Sequence, residues 1–221
     1  MEEFGGAAVA VEFFYCLSCP WSYLAFARLA EAAMRTGVGV VYRPVIGAWL
    51  PGADRWARPY ERLGPEPAVR RYVLTDLAAW ARFCSVKLNV IEGERSPPEW
   101  AQRAAVLAAR AGRGRQYVEA MYREQFESGC DITSREKVLQ IAAICGLDGA
   151  EFETELDGES TRTAVRRNGE ELLARGGFAA PTMFIGSDLY FGHDRIPLVE
   201  MTLLRVADRP FVAPGEHGRL R

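Results

Sequence analysis

Lysine is almost missing from this chain: among its 221 residues only Lys87 and Lys137 are lysines, and arginine supplies the rest of the 27 basic side chains. Acidic residues number 29, so the net charge of −2 offers no basic stripe for nucleic acid or an anionic membrane. Histidine is as scarce, with only His193 and His217, and no Cys/His spacing matches a zinc site, so no metal is expected. No apolar run approaches the ~20 residues of a membrane helix, so no membrane association is expected. The five cysteines, Cys16, Cys19, Cys84, Cys130 and Cys145, are an odd number and do not read as a disulfide framework. The chain opens Met1-Glu2-Glu3, acidic where a secretory leader is basic, which predicts a cytoplasmic protein. No internal repeat or low-complexity segment interrupts it.

What is present reads as an α/β chain with a helical middle. Residues 8–15 (AVAVEFFY) are apolar and β-rich, as in a strand buried on both faces. Pro20 then favours a first helical turn, and Leu24, Ala27, Leu29 and Met34 share or flank one helical face up to the stop at Gly37. Residues 38–44 read as a second strand. Residues 50–68, rich in Pro, Gly and Arg, read as a loop. Helical periodicity follows at 68–83, 98–111, 116–127 and 134–145, with Thr133 or Ser134 as an N-cap and Gly146 as a stop, and again at 159–174. Two short strands, 182–185 and 189–191, flank Gly186-Ser187-Asp188 as a hairpin, and a helix is predicted from Asp194 to about Ala207.

The chemistry concentrates at two junctions. Cys19 stands where a strand turns into a helix, so unpaired N–H groups and the helix dipole face its sulfur. That placement predicts a thiol shifted toward thiolate, hence a nucleophile. Position 22 is Ser22, which removes the second cysteine of a Cys-Pro-x-Cys dithiol. Cys16 does make a Cys-x-x-Cys with Cys19, but from the strand side, and a bridge between them requires the loop to curl back. At the other junction Pro181 precedes a buried strand, where proline cannot donate to the ladder. A cis Ala180–Pro181 bond accounts for it and leaves the Ala180 backbone free for an extended peptide; a trans proline starting an edge strand is the alternative.

Residues 13–25 (FFYCLSCPWSYLA) resemble the N-terminal signature of the 2-hydroxychromene-2-carboxylate isomerase and kappa-class glutathione transferase family. Residues 176–184 (GGFAAPTMF) followed by Gly192-His193-Asp194-Arg195, and a helix carrying Arg71, Asp76, Trp80 and Ala81, extend the likeness over nearly the whole chain. The resemblance implies a DsbA-like fold: a thioredoxin-like domain from 8–48 and 160–210, an inserted all-helical domain at 49–159, and a flexible tail at 211–221. It implies glutathione, or an analogous low-molecular-weight thiol, as cofactor. Cys19 falls where the family has a serine that holds the glutathione sulfur as thiolate. Ala180, with cis-Pro181, falls where the cysteinyl backbone is paired, and Asp194 and Arg195 where the γ-glutamyl end is addressed. At Asp194 a simple helix cap is the competing reading, and His193 is expected to orient the turn.

The family's asparagine after the second strand is missing; Gly47-Ala48-Trp49-Leu50-Pro51-Gly52-Ala53-Asp54 stands there. A substrate pocket is expected from Trp21, Ser22, Trp49 and Trp56, with core packing as the alternative for the tryptophans. The resemblance thus implies an isomerase or transferase for a small aromatic or conjugated substrate, working as a homodimer. The cysteine in place of serine keeps open a DsbA-like thiol–disulfide oxidoreductase using Cys19, with or without Cys16.

Overall fold

The computed structural model describes residues 10–51, 67–90 and 96–207. Most of the predicted loop 50–68, with Trp56, and the tail 211–221, with His217, lie outside the described residues.

Strand β1 (Ala10–Tyr15) runs into helix α1 (Pro20–Thr36) and returns as β2 (Gly39–Pro44), which pairs parallel to β1. Pro20 occupies the first turn of α1. Gly37 ends it in the left-handed region (φ 72°), its N–H donating to Ala33 C=O, a position where a Cβ is strained. Near the C-terminus, β3 (Thr182–Ile185) pairs antiparallel to β1, and β4 (Asp188–Phe191) antiparallel to β3. The sheet order is β2-β1-β3-β4. A 3-10 turn (His193–Arg195) then leads into the last helix (Ile196–Val206), two residues later than the sequence predicts, because the chain first turns at Gly192.

Between the two halves lie α2 (Pro67–Phe83), α3 (Glu99–Arg110), α4 (Gly114–Tyr122), α5 (Arg135–Ile144), α6 (Ala150–Asp157) and α7 (Glu159–Ala174); the last helix is therefore α8. The predicted helix 116–127 changes pitch: α4 gives way to a π-helical turn at Arg123–Glu127. Ser134 is the cap of α5, its Oγ accepting the Lys137 N–H at 3.4 Å. Helix α6 and a 3-10 turn at Gly47–Trp49 carry no apolar stripe and were not legible; α6 buries only Leu156. No helix among the described residues is long and apolar enough to cross a membrane.

The alternation of β1 divides the core. Val11, Phe13 and Tyr15 join one continuous cluster with Leu29 of α1, Ala104 of α3, Tyr117 and Tyr122 of α4, and Val199 of α8. Phe14 points the other way, into a smaller cluster with Val45, Leu172 of α7 and Phe184. The strand thus buries side chains on both faces, as its apolar run around the single charge of Glu12 predicts. The parallel pairing places the ends of β1 and β2, and the loops that leave them, at the same edge of the sheet.

Candidate active site

The turn that leaves β1 is held from several directions. The Cys19 N–H donates to Cys16 C=O at 3.1 Å, and Tyr122 Oη donates to the same carbonyl at 3.3 Å. Ser22 is fully buried and accepts the Cys16 N–H on its Oγ at 3.4 Å. Cys19 itself is the N-cap of α1, with extended backbone (φ −95°, ψ 115°).

The Ser22 hydroxyl and the Ser22 and Trp21 N–H groups lie on the side of the sulfur and favour its anion, as the helix start predicts, although none of them caps it with a hydrogen bond. The expected depression of the thiol pKa nevertheless fails. Burial of the sulfur, aided by the neighbouring Cys16, outweighs those donors and pushes Cys19 up to about 11. At neutral pH Cys19 is therefore a thiol, with its S–H directed at Ala180 C=O, 3.8 Å away. Sequence position reports the local donors but not the surroundings that desolvate the sulfur. Cys16 is also a free thiol, buried, with its Sγ 3.3 Å from Ser18 Oγ.

The Ala180–Pro181 peptide is cis. Thr182 Oγ1 donates to Ala179 C=O at 2.6 Å, and the Gly192 N–H donates to Pro181 C=O at 2.9 Å, fixing the loop on both sides. The Ala180 N–H makes no backbone hydrogen bond among the described residues.

Gly192 lies at φ 104°, and a Cβ there would stand 2.6 Å from Asp194 Oδ1, so the turn admits little but glycine. Asp194 and Arg195 follow, both exposed, with Arg195 Nη2 3.4 Å from Asp194 Oδ2. His193 between them and the glycine is buried. It stacks on Trp21 (centroids 4.6 Å apart) and meets Trp80 edge-on at 4.5 Å. Burial lowers its pKa to about 4, against the opposing pull of Asp194, so it is neutral above that pH. Through this stack the turn bearing Asp194 and Arg195 is clamped to the first turn of α1.

The structure thus brings Cys19, Ala180 and Pro181 together, and ties Asp194 and Arg195 to Trp21. The residues expected to line a substrate pocket take different surroundings. Ser22 is fully buried inside the cysteine turn. Trp21 packs on His193, whereas Trp49 lines a different cavity, against α7. Among the described residues Trp21 and Ser22 thus stand on α1 and Trp49 in the loop after β2.

Two residues absent from the sequence reading support the site. Tyr122 holds Cys16, as above. Gln102 of α3, fully buried, donates from Nε2 to Tyr15 C=O at 3.1 Å and to Val45 C=O. A glutamine on the buried stripe of an alanine-rich helix (EWAQRAAVLAAR) was the available signal, since such an amide needs partners.

Comparison with known proteins places these features in context. The DSBA-like thioredoxin domain family matches residues 10–203. A 2-hydroxychromene-2-carboxylate isomerase from Sphingobium xenophagum is 27% identical over 195 residues, 88% of this chain and 97% of that protein. The solved structure of a 2-hydroxychromene-2-carboxylate isomerase superposes with a TM-score of 0.74 at 21% identity, covering 89% of this chain and 95% of that one. A cytosolic disulfide reductase, DsbM from Pseudomonas aeruginosa, solved with GSH, shares the fold at a TM-score of 0.60 and 21% identity, covering 89% and 99%.

Proposed function

The chain belongs to the DSBA-like thioredoxin domain family, and on that premise we propose that it is a glutathione-dependent isomerase of the 2-hydroxychromene-2-carboxylate type, close in chemistry to the kappa-class transferases. The observation that carries this reading is the geometry at Cys19: Ser22 stands where a resolving cysteine would be, and the thiol donates to Ala180 C=O, 3.8 Å away, beside cis-Pro181. A thiol–disulfide oxidoreductase of this fold depends on a stabilised thiolate; here burial opposes one. A protonated Cys19 is instead a hydrogen-bond donor, the part played by the family's serine. The named relative from Sphingobium points the same way.

The residues present suit glutathione. Ala180 offers an unused N–H, and the exposed pair Asp194 and Arg195 offers one charge of each sign to the zwitterionic γ-glutamyl end. Bound glutathione would supply a thiolate nucleophile for the conjugated substrate. Cys19 would turn its S–H from Ala180 C=O to that sulfur and favour its anion. The first N–H groups of α1, and its dipole, stabilise the same charge. Cis-Pro181 presents Ala180 to the cysteinyl backbone, and His193, wedged between Trp21 and Trp80, keeps Asp194 and Arg195 in position.

The same reading divides the chain into a thioredoxin-like unit (8–48 and 160–210) and a helical insertion (49–159), working as a cytoplasmic homodimer on a small aromatic or conjugated substrate. All five cysteines are free, which suits a reducing compartment. A redox role has one observation in its favour, the unpaired Cys16-x-x-Cys19 turn.

Intact-mass spectrometry after incubation with glutathione and with its disulfide separates the two. The proposal expects calorimetrically detectable, reversible glutathione binding, no stable adduct, and turnover of a chromene-type substrate. A lasting adduct on Cys19, or a Cys16–Cys19 bridge with turnover of a model disulfide, makes the protein an oxidoreductase.

A further inference from the structure

Away from the cysteine turn, a thiol and an amine meet on one carboxylate oxygen. Cys130 Sγ donates to Glu124 Oε2 at 3.0 Å, and Lys137 Nζ stands 3.4 Å from that same oxygen. The bond to Glu124 raises the Cys130 pKa, with Lys137 pulling the other way, so the sulfur rests as a thiol.

The backbone holds both carriers in place. Glu124 belongs to the π-helical turn Arg123–Glu127, which is closed by the Ser128 N–H on Arg123 C=O at 3.0 Å. Gly129, in the left-handed region (φ 73°), then turns the chain back, and the Cys130 N–H donates to Glu124 C=O at 2.8 Å. Lys137 is in the first turn of α5, where its own N–H donates to the Ser134 cap.

Lysine is the unexpected member of this cluster. The carboxylates of Glu12, Glu99, Glu153, Asp157 and Glu200 are all met by arginine, which binds a carboxylate with a planar fork. A plain ion pair at Glu124 is equally open to arginine, and a cation in the first turn of a helix opposes the dipole. What lysine adds is an amine that can lose its proton and react, which a guanidinium cannot. The Lys137 and Glu124 side chains each keep about a third of their surface in water, and Cys130 is only partly buried, so a dissolved oxidant reaches them.

We propose that Cys130 and Lys137 form a site of covalent modification, joined by dioxygen into a nitrogen–oxygen–sulfur bridge. One dioxygen is consumed for each bridge. The S–H bond and two N–H bonds of the ammonium break, and one S–O and one O–N bond form. Sulfur and nitrogen each give up two electrons; one oxygen atom stays in the bridge, and the other leaves as water with the thiol hydrogen and one ammonium hydrogen. The remaining proton passes to solvent by way of the Glu124 carboxylate. The bridge ties the π-helical turn to α5, and it does not rest on the isomerase reading.

Tryptic mass mapping of the whole protein, held under dioxygen without a thiol reductant, tests it. Trypsin cuts between the two residues at Arg135. The Cys130 and Lys137 peptides should nevertheless stay joined, with a gain of about 14 Da for one oxygen less two hydrogens and no cleavage after Lys137. Dithiothreitol should separate them and restore that cleavage. Lys137→Arg, which keeps a cation on Glu124, and Cys130→Ser should each abolish the joined species. Its absence from the wild-type protein overturns the proposal, as does oxidation of Cys130 that stops at a sulfenic or sulfinic acid. A bridge mapped to Cys84 and Lys87, or a joined species that persists in Lys137→Arg, overturns it as well.

Discussion

Replacing Cys19 with alanine lowers isomerisation turnover about a hundredfold or more, while replacing it with serine preserves most of it. The asymmetry follows from what Cys19 does in this structure. Its thiol is protonated, pushed up to about 11 by burial, and already donates to Ala180 C=O. A group whose work is to donate a hydrogen bond to a bound sulfur can be replaced by a hydroxyl, and serine keeps the N–H groups of Trp21 and Ser22 in place around it. Alanine removes the donor while leaving the helix start intact. Removing one preorganised donor from a developing or bound anion costs about 10²–10³ in rate. If Cys19 instead formed a covalent bond in each cycle, serine and alanine would be equally inactive, because only sulfur exchanges disulfides. Steady-state rates of the three proteins with a chromene-type substrate and saturating glutathione give the answer.

The second large effect is on stability. Gln102→Leu should destabilise the fold by about 2–3 kcal/mol. Gln102 is completely buried, and its Nε2 donates to both Tyr15 C=O and Val45 C=O, stitching the ends of β1 and β2 to α3. Leucine matches the volume closely but donates nothing. Tyr15 C=O keeps its bond from the Val45 N–H, so the principal cost is the stranded Val45 carbonyl, with a smaller loss at Tyr15. In a chain of this size that corresponds to a fall in Tm of about 4–10 °C. Urea unfolding measures it, and a change below about 0.5 kcal/mol, ordinary for a surface substitution, would contradict the assignment. Because Tyr15 directly precedes Cys16, the same variant should weaken glutathione binding even where it remains folded.

Much of the fold was legible because local chemistry and global architecture agree. Pro20 and Gly37 bracket α1, the run 8–15 is apolar around the single charge of Glu12, and Pro181 before a buried strand left a cis or a trans peptide open, of which the structure has the cis. Gly192-His193-Asp194-Arg195 likewise announced a turn, and the structure shows why its glycine is needed. What escaped was decided across the fold. The Cys19 pKa was read from donors within three residues, but its sign is set by protein packed around the sulfur, including Cys16 and the loop of Ala180. Trp21, Ser22 and Trp49 were grouped from the family resemblance, with core packing as the alternative for the tryptophans. Their directions are fixed by partners far along the chain, His193 and Trp80 for Trp21 and α7 for Trp49. Helix α6 has too few apolar residues to show a period, and its order comes from neighbours rather than from its own sequence.

The central claim, that Cys19 serves as a protonated donor, is tested most directly by its own ionisation. The rate of iodoacetamide alkylation at Cys19, followed by peptide mass mapping against Cys19→Ser as the blank, reports the thiolate fraction as pH rises. With the thiol near 11, that rate climbs about tenfold per pH unit from 7 to 9 and shows no plateau in that window. A plateau reached at or below pH 7 would mean a thiolate at rest, and would contradict the account.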